Sequence, residues 1–175
     1  MALFKHKFRI ETTRLKHWDY SSAGWCFITI CTRGKECFFG RVVNGEMELS
    51  PGGEIVAEEW LKTPAMRANV HLDEWVVMPN HVYGILVIVD SDETPHRGVS
   101  TASPLKPGSV GAIIGQFKSV CTKRIWAVGQ TGFAWQPRFH DRVIRDEPEL
   151  LNKRRYIVEN PLRWELDEYN PSLKS

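Results

Sequence analysis

Residues 72–89 read LDEWVVMPNHVYGILVIV, and this stretch decides the fold. Two runs rich in β-branched residues, 72–78 and 81–89, flank Pro79 and Asn80, a dipeptide that is typical of a bend. So short a bend predicts an antiparallel pair, because parallel strands need a crossover of a dozen or more residues. The second run is apolar on both faces and is therefore predicted to lie at the centre of the sheet.

Strands and helices alternate on either side of this pair. Upstream, the sequence predicts a strand at 25–32, a hairpin at 41–49 with its turn at Asn44 and Gly45, and a helix from Ser50 and Pro51 to about Arg67. Downstream, it predicts a helix from Ser109, a short strand between Trp135 and Ile144, and a helix from Asp146 to about Asn160. This order predicts an α+β fold with a ferredoxin-like antiparallel sheet and helices packed mainly on one face.

The chain of 175 residues, 42% hydrophobic and 25% charged, is predicted to form a single domain over 1–175. A flexible loop rich in proline and small residues is predicted at 90–108, and flexible ends at 1–11 and 170–175. No apolar run is long enough to span a bilayer, and the charged first residues predict no secretory signal. The four cysteines lack CxxC spacing, which favours reduced thiols over a disulfide or a zinc site.

Charge is unevenly distributed, although the formal net charge is only +2. Residues 1–43 carry a net charge of +5, residues 44–94 a net charge of −8, and residues 109–164 a net charge of +5. Two basic segments around an acidic one fit a polyanion bound on one side of the fold. A solvated surface of mixed charge fits this distribution equally well.

Two polar side chains come directly after the Pro-Asn bend. His81 and Tyr83 are two residues apart in the second strand, so their side chains are expected on the same face of the sheet, with Val82 on the other. This pair could take part in chemistry. A histidine in a sheet is more often a hydrogen-bonded structural residue.

The last predicted helix has an apolar sector formed by Leu150, Leu151, Ile157 and Val158. Tyr156 and Asn160 lie at positions i and i+4 on its polar flank, where side chains meet. Lys153 and Glu149 continue that stripe toward the start of the helix. An amphipathic helix with a tyrosine at the rim of the core would show the same spacing.

Two motifs of this chain together resemble the REP-associated tyrosine transposases (RAYT), a branch of the single-tyrosine HUH transposases. VVMPNHVYGILV at 76–87 resembles the family's histidine segment, which reads Met-Pro-Asn-His-hydrophobic-His-Gly. WQPRFHDRVIRDEPELLNKRRYIVENPLRW at 135–164 resembles its second signature, with the motif Y-I-x-x-N-P at 156–161. The resemblance extends over about residues 12–170.

The resemblance implies a transposase or nickase that acts on single-stranded or hairpin DNA in the bacterial cytoplasm, at the nucleoid. Tyr156 would attack a DNA phosphate and form a 5′-phosphotyrosine, while His81 and Asn160 would be ligands of Mg²⁺ or Mn²⁺. Phosphoryl transfer depends mainly on alignment and on neutralising charge at the phosphate oxygens. Relatives include monomers and dimers, so a homodimer stays open, and no membrane partner is expected.

The chain departs from the family at one metal position, where Tyr83 replaces the second histidine. A neutral phenol is a poor ligand for a divalent ion, because its ordinary pKa is about 10. Three readings follow: weak metal binding with cleavage retained, DNA binding without cleavage, or replacement of the missing ligand by a nearby group such as His140.

Basic residues in the two positive segments are candidates for phosphate contacts, and tryptophans could stack on unpaired bases. The predicted DNA-contacting residues are Arg14, Lys16, Lys118, Lys123, Arg124, Arg142, Arg145, Lys153, Arg154 and Arg155. The candidate stacking residues are Trp18, Trp126 and Trp135, each of which fits core packing better. The leading hypothesis is thus a DNA-cleaving enzyme. The alternatives are a hairpin-binding protein without catalysis and an unrelated ferredoxin-like domain.

Overall fold

The computed structural model describes residues 24–89 and 110–174, together with the backbone of two short paired strands, β1 (Leu3–Phe4) and β2 (Lys7–Phe8). The next strands are β3 (Trp25–Cys31), β4 (Gly40–Val43), β5 (Glu46–Leu49), β6 (Val70–Met78), β7 (His81–Ile88) and β8 (His140–Val143). The helices are α1 (Pro51–Lys62), α2 (Val110–Ala127) and α3 (Glu147–Glu159). Short 3₁₀ turns follow α1 at Thr63–Met66 and α3 at Pro161–Leu166 and Pro171–Lys174.

A four-stranded antiparallel sheet with the order β6-β7-β3-β8 forms the centre of the molecule. Along the chain these strands alternate with helices as strand, helix, strand, strand, helix, strand. The first and third strands of that series occupy the middle, as in a ferredoxin-like sheet. The predicted α+β class with a ferredoxin-like antiparallel sheet is confirmed.

Helices cover both faces of this sheet. On one face, α1 and α2 pack against Ile28, Val82 and Leu86 through side chains such as Trp60 and Ile113. On the other face, α3 packs against Trp25, Phe27, Tyr83 and Ile85 through Leu150 and Ile157. Two of the three α-helices among the described residues thus share a face, and α3 lies on the face that carries His81 and Tyr83. We call this the α3 face.

Local sequence signals explain the turns and helix starts. Asn44 and Gly45 have φ of 50° and 75°, as the predicted type I′ turn between β4 and β5 requires. Ser50 Oγ accepts a hydrogen bond from the backbone N–H of Gly53 and so caps α1. Asp146 caps α3 in the same way, by accepting from the N–H of Glu149.

The structure corrects the predicted apolar sector of α3. Leu150 and Ile157 are buried, but Leu151 is 51% exposed and Val158 43% exposed. At 100° per residue, 150 and 157 fall on one line of the helix, and 151 and 158 fall on a line about 100° away. Only the first line faces the sheet.

Several boundaries differ from the prediction. Helix α1 ends at Lys62, short of Arg67, because Pro64 lacks the N–H that would continue the helical hydrogen bonds. Ser109 and the predicted loop at 90–108 lie outside the described residues, as does the end at 1–11 apart from β1 and β2. In the predicted flexible end at 170–175, Asn170 is buried and its amide donates to the carbonyl of Trp164.

The four cysteines all lie within the described residues, and none forms a disulfide. No helix in the described part of the chain combines the length and the apolar character that crossing a membrane would need.

Candidate active site on the α3 face

Two tyrosine hydroxyls meet on the α3 face. Tyr83 on β7 and Tyr156 on α3 have their Oη atoms 3.0 Å apart and their ring centroids 5.2 Å apart. Tyr83 is 2% exposed, whereas Tyr156 is 39% exposed. The pair therefore consists of one buried phenol and one phenol that is partly exposed to solvent.

Asn160 lies one helical turn beyond Tyr156 and is buried. Its amide Nδ2 donates to Asp167 Oδ2 at 3.2 Å, and its Oδ1 has no hydrogen-bond partner among residues 24–89 and 110–174. The carboxylate of Asp167 also accepts from the backbone N–H of Tyr169 at 2.7 Å. Both oxygens of this carboxylate are thus occupied by neighbours in the chain.

His81 is fully buried in a fixed tautomer. Asn80 Nδ2 donates to the carbonyls of Lys35 and Tyr169 at 2.8 Å each, so the other amide atom, Oδ1, faces His81 Nδ1 at 2.8 Å. That oxygen can only accept, and Nδ1 therefore carries the proton. His81 Nε2 is left as a buried acceptor without a partner in the described part of the chain. Burial, helped by the charge of Lys35, lowers the pKa of His81 to about 3.

The segment after α3 covers His81 from the α3 side. The rings of Tyr169 and Trp164 lie 4.8 and 6.2 Å from the imidazole, and that of Tyr83 lies 4.4 Å from it. The Lys35 ammonium lies 4.3 Å from the centre of the Tyr169 ring and also donates to the carbonyl of Glu168. Asp167 and Tyr169 could not be predicted as site residues, because no spacing within LDEY at 166–169 relates them to the strand.

A lysine ammonium lies beside the tyrosine pair. Lys153 Nζ is 4.4 Å from the centre of the Phe27 ring and 5.8 Å from that of Tyr156. Phe27 stacks on Tyr83 at 5.5 Å and meets Tyr156 edge to face at 6.2 Å. One phenylalanine on β3 thereby packs against both phenols and the cation.

The two phenols differ in how readily they lose a proton. Burial raises the pKa of Tyr83 far above its ordinary value, and the hydrogen bond to Tyr156 raises it further. Burial also raises the pKa of Tyr156, but the hydrogen bond with Tyr83 and the nearby Asn160 amide oppose the rise, while the nearby Asp167 and Glu168 add to it. Tyr156 is therefore the member of the pair that ionises first.

The donors around His81 do not fit a resident Mg²⁺ or Mn²⁺ ion. These ions prefer carboxylate, carbonyl and water oxygens. Of the two ligand atoms left free among the described residues, Asn160 Oδ1 is such an oxygen but His81 Nε2 is not, and neither supplies negative charge. Tyr83 keeps its proton and shares its hydroxyl with Tyr156, and the Asp167 carboxylate is already bonded. No group of three or more His, Cys, Asp or Glu side chains among residues 24–89 and 110–174 is placed to hold a metal.

The predicted DNA-contacting residues divide between the two faces. Arg142, Arg145, Lys153 and Arg155 lie on β8 and α3 or between them, on the side of Tyr156, and Lys123 lies exposed on α2. Arg142 is paired with Glu149. Three others also have partners within the chain: Arg154 with Asp73, Arg124 with Glu58 and Glu59, and Lys118 with the carbonyl of Gln136. Arg14 and Lys16 lie outside the described residues.

The other candidate residues are the possible substitute ligand His140 and the three tryptophans proposed to stack on bases. His140 on β8 is exposed and is separated from Tyr83 by Thr29, which pairs with both in the sheet. Trp135 is buried, while Trp126 is half exposed with its Nε1 bonded to the carbonyl of Phe133. Trp18 lies outside the described residues.

The chain was compared with solved structures. The structure of a REP-associated tyrosine transposase bound to a REP hairpin aligns with a TM-score of 0.56 and 19% identity, covering 83% of this chain and 71% of that one. A proposed transposase from Deinococcus radiodurans R1 aligns with a TM-score of 0.46 and 12% identity, covering 78% of this chain and 89% of that one. The first of these shows that the chain has the fold of a REP-associated tyrosine transposase.

One relative is similar over nearly its whole length. An uncharacterized protein of Haemophilus influenzae is 37% identical over 164 residues, which cover 90% of this chain and 91% of that protein. No family model matches the chain. At this identity and coverage, the chain belongs to the same family as the Haemophilus influenzae protein.

Proposed function

We propose that this protein is a transposase or nickase that cleaves single-stranded DNA at hairpin-forming repeats, with Tyr156 as the nucleophile. The observation that carries the proposal is the hydroxyl pair on the α3 face. Tyr156 is half exposed on a helix, its oxygen is held by a buried partner, and a cation lies beside it. A phenol is a weak nucleophile, and it needs this kind of positioning to attack a phosphate.

The proposed step uses groups of this chain only. Tyr156 Oη attacks the phosphorus of a backbone phosphate, the new O–P bond forms, and the bond from phosphorus to the 3′-oxygen breaks. The phenol proton passes to solvent, and the leaving 3′-oxygen takes up a proton, so the products are a 5′-phosphotyrosine and a free 3′-hydroxyl. The total charge of the phosphodiester is unchanged by this exchange.

Basic side chains on the same side would hold the DNA backbone. Arg155 is exposed there, and Lys153 is partly exposed beside Tyr156. Arginine and lysine contacts to phosphates fix the register of a strand without reading its sequence. Arg142, Arg154, Arg124 and Lys118 do not enter this set, because each is engaged within the chain.

The fold comparison supports a hairpin as the DNA substrate. The neighbour with a TM-score of 0.56 was solved bound to a REP hairpin. We therefore propose hairpin DNA with an adjoining single strand as the ligand of this chain.

A second candidate is a hairpin-binding protein without catalysis. The observations that favour it are the phenol at position 83, where the resembled family has a histidine, and the complete burial of His81 beside Tyr169 and Trp164. Both features disfavour metal binding by His81, which a metal-dependent nuclease would need.

A covalent adduct assay separates the two functions. The purified protein is incubated with a hairpin oligonucleotide that carries a single-stranded flank, with Mn²⁺ or with EDTA, and protein–DNA adducts are resolved by denaturing electrophoresis. An adduct formed by the wild type and lost in Tyr156→Phe supports the enzyme. Equal cleavage by both proteins would refute the assignment of Tyr156, whereas salt-dependent binding without an adduct supports the binding protein.

Replacing Tyr83 by histidine tests whether the other site residues can still support metal binding and cleavage. Tyr83→His places a second imidazole two residues from His81, and we expect it to bind Mn²⁺ more tightly in calorimetry than the wild type. If metal-dependent cleavage then rises, the chain derives from a metal-dependent nuclease. If neither metal binding nor cleavage changes, the surroundings of His81 are unsuited to an ion whatever residue occupies position 83.

A further inference from the structure

We infer that Tyr83 is a positioning residue for Tyr156 and that Lys153 supplies the positive charge at the phosphate, so that the site works without a resident metal ion. This inference rests on the proposed function. It assigns to position 83 a task other than metal binding, because its hydroxyl is bonded to that of Tyr156.

The burial of the two hydroxyls fixes the direction of their hydrogen bond. Tyr83 is 2% exposed, and among the described residues its hydroxyl bonds only to Tyr156. If Tyr83 accepted this bond, its own proton would be buried without an acceptor, which is costly. Tyr83 therefore donates and Tyr156 accepts. The more exposed Tyr156 can give its own proton to water or substrate.

A donated hydrogen bond serves the nucleophile in two ways. It holds Tyr156 Oη at one position, with a lone pair left for the incoming phosphate, and it stabilises the oxygen as negative charge develops on it. Phe27 supports this geometry, since its ring packs against both phenols. The support comes from a buried strand, β3, and not from a loop.

Lys153 places a positive charge beside Tyr156. Its Nζ is held over the Phe27 ring at 4.4 Å and lies 5.8 Å from the centre of the Tyr156 ring. Within the described residues it takes part in no salt bridge, because the carboxylate one turn away, Glu149, is bonded to Arg142 and to the N–H of Arg145. Its charge is therefore available to a phosphate bound at Tyr156.

The Tyr83–Tyr156 bond can be tested without DNA. Tetranitromethane nitrates ionised phenols, and peptide mass spectrometry reports the rate at Tyr156 alone. In Tyr83→Phe we expect nitration of Tyr156 at pH 8 to slow by roughly three- to tenfold, the effect of one lost hydrogen bond. An unchanged or faster rate would overturn the assignment of Tyr83. Circular dichroism and urea unfolding of the variant establish that it is folded.

The role of Lys153 is tested in the adduct assay. We expect the wild type to form its adduct equally with EDTA and with Mn²⁺, Lys153→Met to lose at least tenfold in rate under both conditions, and Lys153→Arg to recover most of it. Lys62→Met, an exposed lysine on α1 across the sheet, is the matched control and should keep the wild-type rate. Adduct formation that needs Mn²⁺, or a Lys153→Met variant as fast as the wild type, would overturn the inference.

The outcomes of the two experiments separate the proposed function from the further inference. If no adduct forms under any condition, the proposed function fails together with the metal-free charge role of Lys153, while the nitration rate still reports whether Tyr83 holds Tyr156. If the adduct forms but nitration is insensitive to Tyr83→Phe, the function stands and the role of Tyr83 is wrong.

Discussion

Gly84 shows at the scale of one residue how tightly the sheet packs against α1. A Cβ built at this position would lie 2.3 Å from Cζ2 of Trp60, a side chain with no exposed surface. We expect Gly84→Ala to lower the free energy of unfolding by about 2–3 kcal/mol, because the buried indole cannot move aside without disturbing the core. Urea unfolding measures the loss.

Two variants control this prediction. Gly115→Ala on α2, where an added Cβ meets nothing within 4 Å, should raise the free energy of unfolding by about 0.5–1 kcal/mol. Trp60→Phe should reduce the cost of the Gly84→Ala change, since the smaller ring leaves room for the methyl group. A Gly84→Ala loss that is the same in both backgrounds would argue against the contact.

His81 should make stability depend on pH. The folded state keeps its imidazole neutral, with a pKa of about 3, whereas the unfolded chain binds a proton below about pH 6.5. The free energy of unfolding therefore falls as pH drops from about 6.5 toward 3, by about 2 kcal/mol between pH 7.5 and 5.0. In His81→Gln this part of the dependence should vanish. Urea unfolding at the two pH values compares the proteins, and parallel profiles would contradict the burial of a neutral His81.

Not all residues of the site could be predicted from sequence. The strand period predicts that His81 and Tyr83 share a face, and the helix period predicts that Tyr156 and Asn160 are neighbours. The structure brings these two pairs together on the α3 face. Asp167 joins them through a turn whose path depends on packing against β7, and no short-range spacing encodes that path. The same holds for Lys153 over Phe27, which needs the register of α3 on the sheet.

At the scale of one element, α3 depends on its first turn. Asp146 Oδ1 accepts from the N–H of Glu149 at 2.8 Å, and the Glu149 carboxylate accepts from the N–H of Arg145 at 3.1 Å. We expect Asp146→Ala to destabilise the protein by about 1 kcal/mol, and Asp146→Asn by much less, because asparagine also caps helices. Urea unfolding of both variants is the measurement, and equal losses would show that the cap does not act through its side-chain oxygen.

The elements that sequence predicts best are those with a local signal at each end. Asn44 and Gly45, Ser50 and Asp146 each mark a turn or a helix start where the structure has one. The prediction that Leu151 and Val158 face the core is wrong for a physical reason. The four apolar residues of α3 span a broad sector of the helix, but the sheet covers only the narrower line that faces it.

At the scale of the whole molecule, one ion pair joins α3 to the edge strand β6. Arg154 Nε lies 2.7 Å from Asp73 Oδ2, with side-chain exposures of 15% and 4%. We expect Asp73→Asn to lower the free energy of unfolding by about 3 kcal/mol, because it removes the charge partner of a largely buried arginine. Urea unfolding at low and high salt is the measurement. A loss below about 1 kcal/mol that disappears in high salt would mean that the pair acts as an exposed one.

The distribution of helices between the two faces could not be deduced from the sequence. All three helices carry apolar residues that could cover either side of a sheet whose central strands are buried on both faces. The face that each helix covers depends on the connections between the elements and on long-range pairs. One such pair is Arg154 with Asp73, which are 81 residues apart. The charge pattern was equally ambiguous, since it did not separate Lys123 on α2 from Arg155 on α3.

The covering of the α3 face by a late part of the chain has a consequence during synthesis. Trp25, Phe27 and Ile85 are made before their partners Leu150, Ile157 and Trp164. A nascent chain that has completed β3 and β7 therefore carries an uncovered apolar surface until α3 and the turn after it have emerged. Such a surface favours chaperone binding, and it makes the yield of native protein sensitive to how fast α3 is synthesised.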